Sequence, residues 1–270
     1  MNLVRAELLK IRTTSTWWWL ALGAFLSIAL AFAFNAWYAV TVLGGDGGDV
    51  GASPEQSTPA AQAANLYTSG QYLGLMFVML IGILMVTNEF FHQTATTTFL
   101  TTPRRTSVIV GKLIAASLLG FFFWLATTVI DLAAGSIFLS LNDYGAQLGE
   151  WPVQRALLFN LLAYAIWTIL GVGIGTLITN QLGAVITAAV LYLVGTQVVG
   201  LLFLLLSNLL DSEAVLKWQV VWPAVASQVM ITEGQSEFVP AWWVGALVLV
   251  GYALVSGVVG VLLTRRRDIA

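Results

Sequence analysis

Few residues in this chain could do chemistry, and their spacing excludes most kinds of it. Cysteine is absent and His92 is the single histidine, which rules out thiol catalysis, Cys-based metal sites, His-rich metal sites and histidine relays. A hydrolytic triad fails too, because His92 lies in a Thr-rich stretch with no acid and nucleophile at recognisable spacing. GVGIGT, Gly171 to Thr176, has the glycines of a phosphate loop without its lysine. Gly111-Lys112 is followed by Leu113 and preceded five positions earlier by Thr106, so it does not complete a Gly-x-x-x-x-Gly-Lys-Ser/Thr loop either. Gly171 and Gly175 instead have the small-xxx-small spacing that lets membrane helices approach closely. Asp131 is the only carboxylate inside a long apolar run. An acid there either pairs with a polar group of the structure or lines a substrate path. No metal site and no enzymatic centre is expected.

The elements that must position these residues are read from composition. The 270 residues are 59% apolar and 9% charged, against roughly 25% charged in soluble proteins, so the chain is read as a membrane protein. A bilayer core takes ~20 apolar residues in helix, and the charge-free runs supply six spans of one all-α domain covering 1–270. They are about 17–43, 71–87, 107–139, 156–178, 183–206 and 242–264, the fourth and fifth split by the polar turn TNQLG. Basic residues are retained in the cytoplasm. Six spans with both termini inside place Arg5, Lys10, Arg12, Arg104, Arg105, Lys112 and Arg265 to Arg267 there, and leave only Arg155 and Lys217 outside with most of the acids. Counted from Lys112, Asp131 is nineteen residues along, about 28 Å of helix, which puts it near the outer boundary.

Three flanking segments carry further expectations. The segment before the first span is long for the basic region of a signal peptide, and a Trp triplet opens the apolar run, which argues against cleavage. Val4, Leu8 and Ile11 at i, i+4, i+7 fit an interfacial helix over Met1 to Ser15, with a frayed basic tail as the alternative. The loop Gly44 to Asn65 is low in complexity and lacks a periodic apolar pattern, so it is expected to be mobile. Ser207 to Ala241 is apolar enough to touch or re-enter the membrane.

Between the second and third spans, NEFFHQTATTTFLTTPRR (Asn88 to Arg105) places Phe90, Phe91, Phe99 and Leu100 in a cytoplasmic loop. Thr102-Pro103 reads as an N-cap followed by proline at the first helical position. Arg104 and Arg105 then occupy a first turn, where each cation opposes the helix dipole by ~0.3–1 kcal/mol. Topology and anionic lipid explain the arginines but not the aromatics; a protein partner explains both.

These residues resemble the permease subunits of ABC-2-type transporters. Glu89-Phe90, His92, Thr94, Leu100, Pro103-Arg104-Arg105 and Gly111-Lys112 stand in the places of that family's signature. Glu7-Leu8-x-Lys10 before a Trp-rich first span is similar, as are span count and length. Phe91 departs from the pattern where a basic residue is common, and Gln93 where glycine is common. The resemblance implies an ATP-driven exporter permease of the plasma (inner) membrane, working as a homodimer with an ABC ATP-binding protein that holds ATP and Mg. No cofactor is implied on this chain and no nucleic acid among its partners. A cytoplasmic coupling helix is implied to meet the ATPase through Glu89, Phe90, Phe91, His92, Thr94, Phe99, Pro103, Arg104 and Arg105. From the residues alone, a secondary transporter or channel using Asp131 and a membrane-anchored immunity or interaction protein remain alternatives.

Overall fold

The computed structural model describes residues 2–13, 16–48, 50–94, 105–232 and 239–266. Among them the fold is all-helical, with no strand. The helices are α1 (Asn2–Thr13), α2 (Thr16–Thr41), α3 (Pro59–Tyr67), α4 (Gln71–Phe91), α5 (Arg105–Leu141), α6 (Trp151–Leu177), α7 (Gln181–Val190), α8 (Thr196–Leu209), α9 (Pro223–Thr232) and α10 (Trp242–Arg266). Six stretches are long and apolar enough to cross a membrane: Trp17–Gly45, Pro59–Phe91, Thr106–Leu141, Trp151–Leu177, Gln181–Leu209 and Trp242–Thr264. The fifth joins α7 to α8 through a wide π turn, Leu191–Gly195. This is a multi-pass membrane fold.

At its centre stands α4, which is buried along most of its length and makes its most extensive contact with α6. Glycine makes this possible. Gly82 and Gly171 face each other so closely that a Cβ built on Gly171 would stand 3.0 Å from the Gly82 Cα, and it would collide with the Met79 carbonyl. A Cβ on Gly175 would reach 2.8 Å from the Ile83 carbonyl. The spacing of Gly171 and Gly175 therefore serves helix packing, in which small residues let backbones meet where no hydrophobic driving force exists between helices. The outward surfaces of α2, α7, α8 and α10 remain covered with exposed Leu, Val, Phe and Trp, as lipid-facing helices require.

Two segments differ from their sequence reading or sharpen it. Part of the loop expected to be mobile is ordered helix: Thr58 caps α3 by accepting the Ala61 N–H at 3.3 Å, with Pro59 in the first turn. Tyr67 then anchors α3 by donating to the Ala146 carbonyl at 2.6 Å. Leu66 and Tyr67 are fully buried, so tertiary packing orders a segment whose own apolar pattern is weak. The segment after the fifth span forms a 3-10 helix, Glu213–Val221, and α9, which packs on α6 and α10. Trp167 Nε1 donates to Ser227 Oγ at 2.7 Å and ties α9 to a spanning helix.

Candidate functional site

Four charged side chains meet where α1, the end of α4 and the beginning of α5 converge. On α1, Val4, Leu8 and Ile11 pack against a core of Met85, Val86, Ala115, Ala116 and Val172, which places Glu7 in the same buried stripe. Arg5 and Arg12 point away and are exposed. On α5 the buried stripe is Val108, Ile109, Lys112, Ala115 and Ala116, spaced as one face of a helix. Gly111 lets α1 come near, since a Cβ there would stand 3.2 Å from Leu3 Cβ.

Burial of Glu7 and Lys112 without partners would be prohibitive, and each finds one. The Lys112 ammonium donates to Glu7 Oε2 at 2.7 Å and to the Met85 carbonyl at 3.0 Å, and lies 2.9 Å from Glu89 Oε1. Two hydrogen bonds and a second carboxylate thus surround the ammonium, and the residue is only 1% exposed. Lys10 closes the cluster from the outside, donating to Glu7 Oε1 at 2.9 Å and to Glu89 Oε1 at 2.5 Å. Burial works against the Lys10 charge, but hydrogen bonds and attraction from Glu89 and Glu7 overcome it and raise its pKa above the ordinary 10.5. Two carboxylates and two ammonium groups leave the cluster neutral.

Beyond Glu89 the chain turns sharply. Thr94 N–H donates to the Glu89 carbonyl at 2.8 Å and Gln93 N–H to the Phe90 carbonyl at 3.2 Å, the paired bonds of a Schellman helix end. That motif needs one residue in the left-handed region, and Gln93 takes it at φ 56°. This is the position at which glycine is otherwise favoured.

The residues expected to face a partner are therefore divided. Glu89 is buried in the ion-pair cluster, and Phe90 packs beside Met85 and Val86. Phe91 is 69% exposed and stacks edge-on with His92; His92 and Thr94 are exposed as well. Phe99, Pro103 and Arg104 lie outside the described residues, as do the Thr102-Pro103 helix start and the coupling helix. Arg105 opens α5. Asp131 is far away, buried beside Gly70 at the opposite end of α4 with Tyr164 near it.

Glu7, Lys10 and Lys112 were read from the sequence only as topology markers or as parts of a resemblance. Their signal was nonetheless present: Glu7 interrupts the stripe of Val4, Leu8 and Ile11, and Lys112 interrupts that of Val108, Ile109, Ala115 and Ala116. A charge inside an apolar stripe demands a partner. The structure brings together three separate sequence blocks, Glu7 to Lys10, Glu89 and Gly111-Lys112.

The chain matches no protein-family model and no curated protein. What the fold and the cluster define is a multi-pass helical membrane protein in which an N-terminal helix is ionically clamped to the ends of two spans.

Proposed function

We propose that this chain is the permease subunit of an ATP-driven exporter of the ABC-2 type, pairing with a second copy and with a separate ATP-binding protein. In this reading both termini and the Asn88 to Arg105 loop face the cytoplasm of the plasma (inner) membrane, and α1 lies along its inner surface. The supporting observation is the cluster itself: Glu89, at the mouth of the loop, is bound through Lys112 and Lys10 to α5 and α1. A push on the loop is delivered to three elements rather than one, because the ion pairs tie the end of α4 to both α1 and α5. The α4–α6 contact, with glycine backbones touching, carries that displacement into the core. Exposed Phe91 and His92 supply the outward docking surface, and ATP and Mg belong to the partner.

The test is affinity purification from native membranes, followed by ATPase measurement. Wild-type protein should carry an ATP-binding subunit of matching stoichiometry. Phe91→Glu should reduce its recovery at least fivefold while permease yield and melting are unchanged, since Phe91 contributes little to the core. Undiminished recovery with Phe91→Glu and Arg104→Ala together, or absence of any ATP-binding protein from the wild-type preparation, refutes the proposal.

A further inference from the structure

The second half of the fifth span stands away from the bundle. The extensive contacts of α8 are with the π turn before it and the 3-10 helix after it, and not with another spanning helix. The inner side of this half is fixed by two contacts: Trp222 Nε1 donates to Thr196 Oγ1 at 3.1 Å, and a Cβ on Gly195 would meet the Trp222 ring at 2.8 Å. Gln197 is thereby turned outward, where it is exposed. Its carboxamide makes no hydrogen bond among the described residues.

Its position makes this costly. Gln197 is sixteen residues from Gln181 and twelve from Leu209, the ends of the span, or about 24 and 18 Å of helix. It therefore faces the middle of a hydrocarbon layer ~30 Å thick, where lipid chains offer an amide no donor or acceptor. The other exposed carboxamides among the described residues of the spans, Gln154 and Asn208, stand within four residues of a span end, in reach of headgroups and water.

A polar side chain turned outward at that depth is satisfied by another helix, and the geometry selects which. On α8 the exposed residues Gln197, Leu201, Leu204 and Asn208 fall at i, i+4, i+7 and i+11, the alternation of a helix-pairing seam. Two copies of the chain inserted with the same topology present these helices to each other in parallel, about a two-fold axis along the membrane normal. In such an isologous contact each residue beside the axis meets its own copy. A carboxamide suits that place because it carries both donor and acceptor: the N–H of each Gln197 donates to the Oε1 of the other. Asn208 repeats the pairing near the surface, and Leu201 and Leu204 pack between the two.

We propose that the face of α8 formed by Gln197, Leu201, Leu204 and Asn208 is the membrane contact between two copies of this chain. It rests on the pairing with a second copy proposed above, and not on the ATP-binding partner.

The chain has no cysteine, so single cysteines report the contact directly. Full-length protein carrying Leu201→Cys or Leu204→Cys is oxidised in the membranes of the expressing cells. Leu30→Cys on α2 and Leu254→Cys on α10, where the leucines are 74% and 65% exposed, serve as comparisons. The α8 variants should give a disulfide-linked dimer at least fivefold more abundant than either comparison. In liposomes, energy transfer between labelled copies, followed as lipid is added, should show association at least fivefold weaker for Gln197→Leu, with unchanged helical circular dichroism. Cross-linking through Leu30→Cys or Leu254→Cys in preference to α8 overturns this interface while keeping the pairing, as does association of Gln197→Leu equal to that of wild type. No cross-link at any position, together with no energy transfer in wild type, overturns both.

Discussion

Replacing Lys112 with methionine isolates the energetic role of the cluster. Methionine retains much of the length of the stem and removes the charge, so the effect is electrostatic rather than a cavity. The variant leaves Glu7 and Glu89 buried, with Lys10 as their only cation in the cluster and with the side chain of Lys10 45% exposed. Deleting one member of a buried pair costs about 3–5 kcal/mol, chiefly because the other charge stays behind. Lys10 still touches both carboxylates, which argues for the lower end, about 3 kcal/mol. For a chain of this size that is a fall of roughly 6–12 °C in melting temperature. The cluster goes from neutral to one net negative charge, so adding Glu7→Gln restores neutrality, and the double variant should be more stable than Lys112→Met by about 1–2 kcal/mol. Melting of detergent-solubilised protein by tryptophan fluorescence, for both single variants and the double, reads this directly. A Lys112→Met protein melting within about 1 °C of wild type, or strictly additive losses in the double variant, would refute the assignment of a stabilising network.

Two further outcomes follow from the same geometry. The raised pKa of Lys10 means that its ammonium stabilises the docked α1 fully at pH below 10.5 and that this contribution is lost as pH rises through the higher folded-state value; the melting curve of wild type should therefore fall more steeply with pH above 10.5 than that of Lys10→Met, and parallel curves would contradict the pairing. Gly171→Val drives a side chain into the α4 backbone and should abolish recovery of monodisperse protein, whereas Gly200→Val, with nothing within 4 Å of its Cβ position, should be recovered normally; equal recovery of the two would show that the α4–α6 contact can relax.

The six spans were legible because the bilayer imposes a length rule that packing cannot override. The third was read at 107–139 and runs Thr106–Leu141; the sixth was read at 242–264 and runs Trp242–Thr264. What lay beyond that rule was less legible, for different reasons. Thr58-Pro59 carries the same cap-and-proline signal as Thr102-Pro103, but the apolar residues of α3 are mostly alanine, which gives no periodic stripe to announce it, and its order comes from burying Leu66 and Tyr67 in the bundle. The exposure of Gln197 was hidden because hydropathy marks a span without telling which of its sides the bundle covers.

The charge cluster changes what the basic residues near the spans mean. Counting lysine and arginine assumes that each acts as a charge meeting lipid and water. Lys112 does not: it is buried against Glu7, 105 residues away in sequence, and its charge is cancelled before it reaches the membrane. Lys10 is likewise shared between Glu7 and Glu89. Removing both from the count leaves Arg5 and Arg12, exposed on α1, and the arginines of the loop and the C-terminal segment to argue for the proposed orientation. Those suffice in number. The two lysines are then released for another explanation, which is mechanical: they fasten α1, a helix of 12 residues, to two helices long and apolar enough to cross a membrane. Two lysines retained for orientation alone would need no acids beside them, whereas these two meet a pair of carboxylates contributed by two different helices.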